Sequence, residues 1–263
     1  MTPNKKLEGL EKITELLKII FASGNIDEKP LSCMLVAPVS SGKTISIKQF
    51  KKNKNILITT DSTAYGVLKN YQNMLKNSEI RHIIIPDLLN ALARKKTTAD
   101  QLILFINASS EDGLFPSHTY GMDINQFIDP FGWVLCITKD GYEKKEKFFK
   151  EIGFISRFLI VEYNYSQAQI SKILENVINE INIEIPDIKL KGGRIRKHIE
   201  GNIEIFKELV YYSRLLCRES ESEVIRMQKK LQTFLKSSAY LRGDNQVTKE
   251  DLDKLKDLIN LIK

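Results

Sequence analysis

Leu7, Leu10, Ile13, Leu16, Leu17 and Ile20 recur three and four residues apart among charged side chains. That spacing predicts an amphipathic helix over residues 5–22. The pattern changes after the loop ASGNIDEKP. Five short apolar runs follow: LSCMLVA, NILITTD, RHIIIPD, GWVLCIT and RFLIVEYN, at 31–37, 55–61, 81–87, 132–138 and 157–164, the first closed by Pro38. Runs of that length and composition predict strands buried on both faces. Between them KTISIKQFKKN, AYGVLKNYQNMLKN, LLNALARKKTTADQLILFINASS and KKEKFFKEIG carry helical spacing. Strands alternating with helices predict a mostly parallel sheet sandwiched by helices. The segment 113–131, GLFPSHTYGMDINQFIDPF, is too rich in Gly, Pro and aromatics for one helix, and reads as a hairpin or an ordered loop.

After Ser166 the strands stop. Helices are predicted at 167–181, 198–216, 221–240 and 248–262. In VTKEDL, Thr248 stands as an N-cap with Asp251 three residues on, a capping box with Asp in place of Glu or Gln. Composition leaves this picture intact: 42 % hydrophobic and 28 % charged residues suit a folded chain. The formal net charge of +7 favours anionic partners such as nucleotides or nucleic acid, or else describes a solvated lysine-rich surface. Cys33, Cys136 and Cys217 are far apart and lack metal-ligand spacing. With no signal-peptide pattern and no apolar run of about 20 residues, a cytoplasmic protein without a membrane partner is expected.

The chemistry concentrates in MLVAPVSSGKTISIKQF, residues 34–50. A phosphate-binding loop needs a strand, a tight turn of backbone amides, and a helix. Pro38, Val39, Ser40, Ser41, Gly42, Lys43 and Thr44 stand in that context. Lys43 would reach the β- and γ-phosphates, and the Thr44 hydroxyl would hold Mg²⁺. Ala37 replaces the first glycine of the motif, which matters only if the position needs φ > 0. The competing explanation is a chance SGKT.

Asp87 closes HIIIPD and suits the Mg²⁺ shell, the competing role being a cap for the helix that follows. Position 88 is leucine where a water-activating glutamate is expected. Either a base comes from elsewhere, with Glu111, Asp112 and Asp61 as candidates that are equally describable as surface loop acids, or hydrolysis is weak. Thr138 ends its strand, where it either meets the γ-phosphate or simply terminates the strand. Arg157 is a cation for a nucleotide on an adjacent subunit, or a surface ion pair. Arg226, early in its helix, either reaches back to the γ-phosphate or is solvated.

Five landmarks in one order, APVSSGKT, HIIIPD, VLCIT, GFISRF and ESEVIRMQKKLQTFLKSSAYLRGDNQVTKEDL, resemble an AAA+ ATPase. The last is similar to the lid of minichromosome-maintenance helicases, and the central part resembles P-loop ATPases of phages and mobile elements. The resemblance spans 31–263 at motif level. It implies an N-terminal helix and linker over 1–30, a nucleotide-binding core over 31–165 and a helical lid over 166–263. It also implies Walker A roles for Lys43 and Thr44, a Walker B role for Asp87, sensor 1 for Thr138, the arginine finger for Arg157 and sensor 2 for Arg226. The implied cofactors are ATP and Mg²⁺. The implied partners are further copies of the chain in a ring or filament, nucleic acid (DNA foremost), and a possible protein partner. DNA contact would come from 113–131 and the basic run KLKGGRIRK (189–197). Residues 1–30 are too few for a replicative helicase's DNA-binding domain, so processive unwinding by this chain alone is not expected. The expected function is ATP hydrolysis coupled to DNA remodelling, loading or translocation. The alternative is a slowly hydrolysing switch that recruits a protein partner, which Leu88 favours. A small-molecule kinase would leave the arginines and lid pattern unexplained.

Overall fold

A computed structural model of the chain describes residues 9–60, 62–116, 124, 126–178, 185–192, 195–217 and 221–263. The first apolar stripe folds as α1 (Glu11–Ala22), which buries Ile13, Leu16, Leu17 and Ile20. The five apolar runs form β1 (Cys33–Ala37), β2 (Ile56–Ile58), β3 (His82–Ile85), β4 (Gly132–Thr138) and β5 (Leu159–Glu162). All pair in parallel in the order β2-β3-β4-β1-β5. The connecting helices are α2 (Lys43–Lys48), α3 (Ala64–Lys76), α4 (Leu88–Leu92), α5 (Lys96–Glu111) and α6 (Lys139–Glu151). The chain ends in α7 (Gln167–Ile178), α8 (Ile203–Leu216), α9 (Glu221–Arg242) and α10 (Lys249–Leu258).

Strand alternation splits the core in two. Cys33, Leu35 and Ala37 of β1, with Val134 and Cys136 of β4, face a layer built from α1, α2, α8, α9 and α10. Met34 and Val36, with Trp133, Leu135 and Ile137, face α3, α4, α5 and α6. Both sides are covered, which is why the central strands carry continuous apolar runs rather than alternation. On the second side the Trp133 indole donates to Ser109 Oγ at 2.9 Å.

Local chemistry explains where the observed elements depart from the spacing. Thr138 accepts from Gly141 N at 3.2 Å as an N-cap, so α6 starts at Lys139, five residues before the predicted helix. The long helix expected over 88–110 divides into α4 and α5 around Ala93–Lys95, where ARKKTT supplies no apolar side chain for the core. The outer edge of β5 is closed without another full strand. Lys230 Nζ donates to Phe158 O at 2.9 Å and Lys263 N to Ile160 O at 2.9 Å. Capping an edge with lysine blocks pairing by another chain.

The capping box at Thr248 is present. Asp251 is fully buried, accepts from Thr248 N at 2.9 Å, and takes a two-pronged pair from Arg242 at 2.7 and 3.2 Å. Asp251→Asn removes the charge that compensates Arg242 and leaves the amide with a donor facing donors. Breaking a buried pair by changing one partner costs about 3–5 kcal/mol. Arg242 keeps 27 % exposure, so the expected loss is about 3 kcal/mol, the low end. Urea unfolding should show it as a lower midpoint at unchanged m.

Candidate functional site

The loop 38–42 leaves the carboxyl end of β1 and enters α2. β1 lies between β4 and β5. The helix after β1 packs on one side of the sheet, while the helix after β4 packs on the other. The crevice between the carboxyl ends of β1 and β4 is therefore a topological switch point, the place where open parallel sheets bind ligands. Ala37 is level with Thr138 across that crevice. It is buried strand backbone and is not among the residues with positive φ, so alanine fits where the motif has glycine.

Gly42 and Ser40 do take positive φ, +77° and +60°. At Gly42 the reason is twofold. The left-handed turn ends the loop, and a Cβ there would lie 2.7 Å from Tyr165 Oη and 3.0 Å from Leu10 Cδ1. Gly42→Ala should therefore strain the turn by about 1–2 kcal/mol and push Tyr165 away. Expected are a lower melting temperature and nucleotide affinity reduced roughly tenfold. Wild-type affinity in Gly42→Ala would show that the loop is not the binding element.

Lys43 bends back into the loop. Its ammonium donates to Ala37 O at 2.7 Å, Pro38 O at 2.5 Å and Ser41 Oγ at 3.2 Å. Burial lowers its pKa from the ordinary lysine value, opposed by the nearby Cys136 and Asp87. The ammonium is thus half-desolvated among neutral oxygens, a state that an incoming phosphate would relieve. Thr44 follows on the exposed side of α2.

Asp87 caps α4, its Oδ1 accepting from Asn90 N at 3.1 Å. The capping role weighed in the sequence is the one observed, and it occupies one carboxylate oxygen. The side chain is exposed at the same sheet edge, close enough to Lys43 to act on its charge. Thr138 likewise caps α6. The hydroxyls of Thr44 and Thr138 and the carboxylate of Asp87 are hard oxygen donors of the kind Mg²⁺ accepts, so the residues present fit a magnesium–triphosphate. Leu88 is fully buried within the apolar cluster containing Ile85, Ala91 and Leu102. The position where a glutamate was expected thus points into the core.

The remaining predicted site residues sit elsewhere. Arg157 precedes β5, and Phe131 N donates to Ser109 O, which puts the end of α5 beside the start of β4. Both are at the amino edge of the sheet. Arg226 Nη1 donates to Ser156 Oγ at 2.9 Å. Glu111 pairs with Lys29 at 3.4 Å and lies 3.9 Å from Arg157 Nε. The five residues of β1 separate this edge from the loop by roughly 15 Å. Arg226 therefore does not reach back to its own loop, and Glu111 and Asp112 cannot activate water there. Asp61 lies outside the described residues.

The insert 113–131 begins and ends as a hairpin, with Leu114 and Ile128 bridged antiparallel, while 117–123 and 125 lie outside the described residues. The basic run 189–197 is anchored near α2, where Asn53 Oδ1 accepts from Leu190 N at 2.8 Å. Lys197 N donates to Asn25 O at 2.9 Å, and both anchors lie at the amino edge, since Asn53 stands just before β2. Residues 193 and 194 lie outside the described residues. Three residues were not singled out from the sequence: Leu10 and Tyr165, which pack on Gly42, and Lys230, which holds carbonyls on both sides of Arg157. No periodicity carries such contacts, because each joins segments far apart in the chain. No protein-family model and no curated protein matches the chain.

Proposed function

We propose that the chain is an ATP-binding P-loop ATPase of AAA+ type that assembles with copies of itself and couples ATP hydrolysis to work on nucleic acid. One observation carries the reading: a half-buried lysine sits in a strand–loop–helix at the switch point, with Asp87 and Thr138 on neighbouring strand ends. Lys43 binds the phosphates, and Thr44 and Asp87 orient the metal that accompanies them. Mg²⁺, when bound with ATP, would be held through Thr44 and Asp87 and would supply charge neutralisation for phosphoryl transfer. Thr138 orients the attacking water. In this reading the helices after residue 166 act as the lid.

The separation of the two edges supports assembly. Arg157 and Arg226 share one edge with each other and not with the loop. Stacking the amino edge of one copy on the carboxyl edge of the next brings both cations to a neighbour's triphosphate. The excess of seven positive charges and the basic run 189–197 support a polyanionic substrate held through its phosphates.

The test is ATP turnover with and without DNA, at two salt concentrations. Stimulation by DNA that fades at higher salt is expected. In mixtures with Arg157→Ala subunits, activity should fall faster than the fraction of wild type; strict proportionality at every ratio rejects delivery in trans. A second reading rests on the burial of Leu88. Without a glutamate beside the loop, the chain binds ATP, assembles, and recruits a protein partner with little turnover. ATP-dependent oligomers whose turnover DNA leaves unchanged would select it.

A further inference from the structure

A cavity of about 410 Å³ opens at the amino edge, between the segment leading into β1, the end of α5 and the middle of α9. Its volume lies within the range of small-ligand sites. Five of its fourteen lining residues are cationic and two acidic. Both acids are already engaged: Glu28 with Lys236, and Glu111 with Lys29 at 3.4 Å. Positive charge therefore exceeds negative inside a concave wall made by a single chain.

The cations are arranged around one point in the chain. Lys230 Nζ donates to Ser156 O at 2.7 Å and Phe158 O at 2.9 Å, the carbonyls either side of Arg157. Arg226, one turn before Lys230 on α9, donates to Ser156 Oγ at 2.9 Å. Arg157 is tied inward, donating through Nη1 to Gly153 O. Its Nε is buried with no hydrogen-bond partner, the Glu111 carboxylate being 3.9 Å away. That nitrogen faces inward to Glu111; an oxyanion in the cavity would instead complement the cationic side chains of Arg157, Arg226 and Lys230 that line it. Pro30 and Leu31 provide an apolar stretch of wall beside this charged end.

We propose that this amino-edge cavity is a second phosphoryl-binding site, complete within one chain, that takes a small phosphorylated ligand on Arg157, Arg226 and Lys230. It goes beyond the proposed ATPase reading, in which the same arginines serve a neighbour's nucleotide. Here the ligand is held without a neighbour and without the loop. Burial lowers the pKa of Arg157, opposed by Glu111 and Asp112 and reinforced by the adjacent Arg226. Burial likewise brings Lys230 down to about 8. Both shifts are set chiefly by desolvation, which a bound dianion would offset beside the cavity's excess of positive charge.

The test uses the full chain carrying Lys43→Ala, diluted until monomeric, with inorganic pyrophosphate and inorganic phosphate as probes in equilibrium dialysis. One saturable site per chain is expected to remain. Arg226→Ala, an exposed position on α9, should weaken it about tenfold or more, and Lys230→Met similarly. Should Lys230→Met fail to fold, Arg226→Ala alone decides. Loss of all binding in Lys43→Ala places the phosphate on the loop and overturns the proposal. Binding unchanged in Arg226→Ala also overturns it. Binding that appears only with ATP, and only at concentrations where the chain assembles, assigns the cations to a neighbour's nucleotide and overturns it as well. Because the readout is pyrophosphate binding in the absence of the loop lysine, it can fail or succeed independently of ATP turnover.

Discussion

Lys43→Ala should reduce ATP turnover by roughly 10²–10³-fold, the loss typical when one preorganised donor to developing charge is removed. The structure gives that lysine two tasks. Its ammonium ties Ala37 O, Pro38 O and Ser41 Oγ together, which shapes the loop before any ligand arrives. It is also a half-buried cation without a carboxylate at ion-pair distance among the described residues, so a phosphate gains charge compensation on entering. Alanine abolishes both tasks. Nucleotide titration should show weaker binding, and circular dichroism should show an unchanged fold, because the Ile47 and Phe50 packing that anchors this segment is untouched. A variant that keeps wild-type turnover would remove the loop from the mechanism altogether.

Leu88→Glu should unfold the protein rather than speed it up. By motif alone the substitution restores the missing glutamate beside Asp87. In the fold it buries a carboxyl group in the apolar cluster with Ile85, Ala91, Leu102 and Ile106. Removing a buried leucine side chain alone costs about 2–5 kcal/mol, and an unpaired buried polar group adds about 1–3 kcal/mol. A loss of about 3–8 kcal/mol is expected, measured as a lower urea midpoint or, at the upper end, as loss of the folded baseline. Burial would raise the new carboxyl's pKa, so it would remain protonated and useless as a base. An equally stable Leu88→Glu with higher turnover would show instead that this position opens onto the loop.

Together these variants separate two questions that the motif merges. Lys43→Ala asks whether phosphate is bound at the switch point. Leu88→Glu asks whether the adjoining position belongs to the site or to the core. The hydrolytic base is a third question. Glu111 is held by Lys29 at the far edge, so its substitution should alter the amino-edge cavity and leave water activation at its own loop unaffected.

Much of the fold was legible in the chain because it is written in short-range spacing. Five apolar runs gave five strands, with the fourth at its predicted bounds of 132–138. Thr248 and Asp251 gave a capping box that forms. The helix start at Lys43 followed from SGKT, because glycine permits the left-handed turn that the observed +77° at Gly42 requires. Each of these depends on residues within about four positions of one another. Strand order is different. Neighbours such as β1 and β4 are joined through about a hundred intervening residues, and any order of buried parallel strands satisfies the same apolar pattern. That order decided that β1 lies between β4 and β5, so that the loop and Thr138 face one crevice; the shared direction of the strands is what puts the loop, Asp87 and Thr138 at one edge and Arg157 at the other. Packing of helices on the sheet turned Leu88 inward and set Tyr165 and Leu10 against Gly42. The sequence by itself determined which pieces exist and where each begins. Only the tertiary structure decided which side chains meet, because contacts such as Tyr165 and Leu10 against Gly42, or Arg226 against Ser156, join segments far apart in the chain that no short-range spacing links.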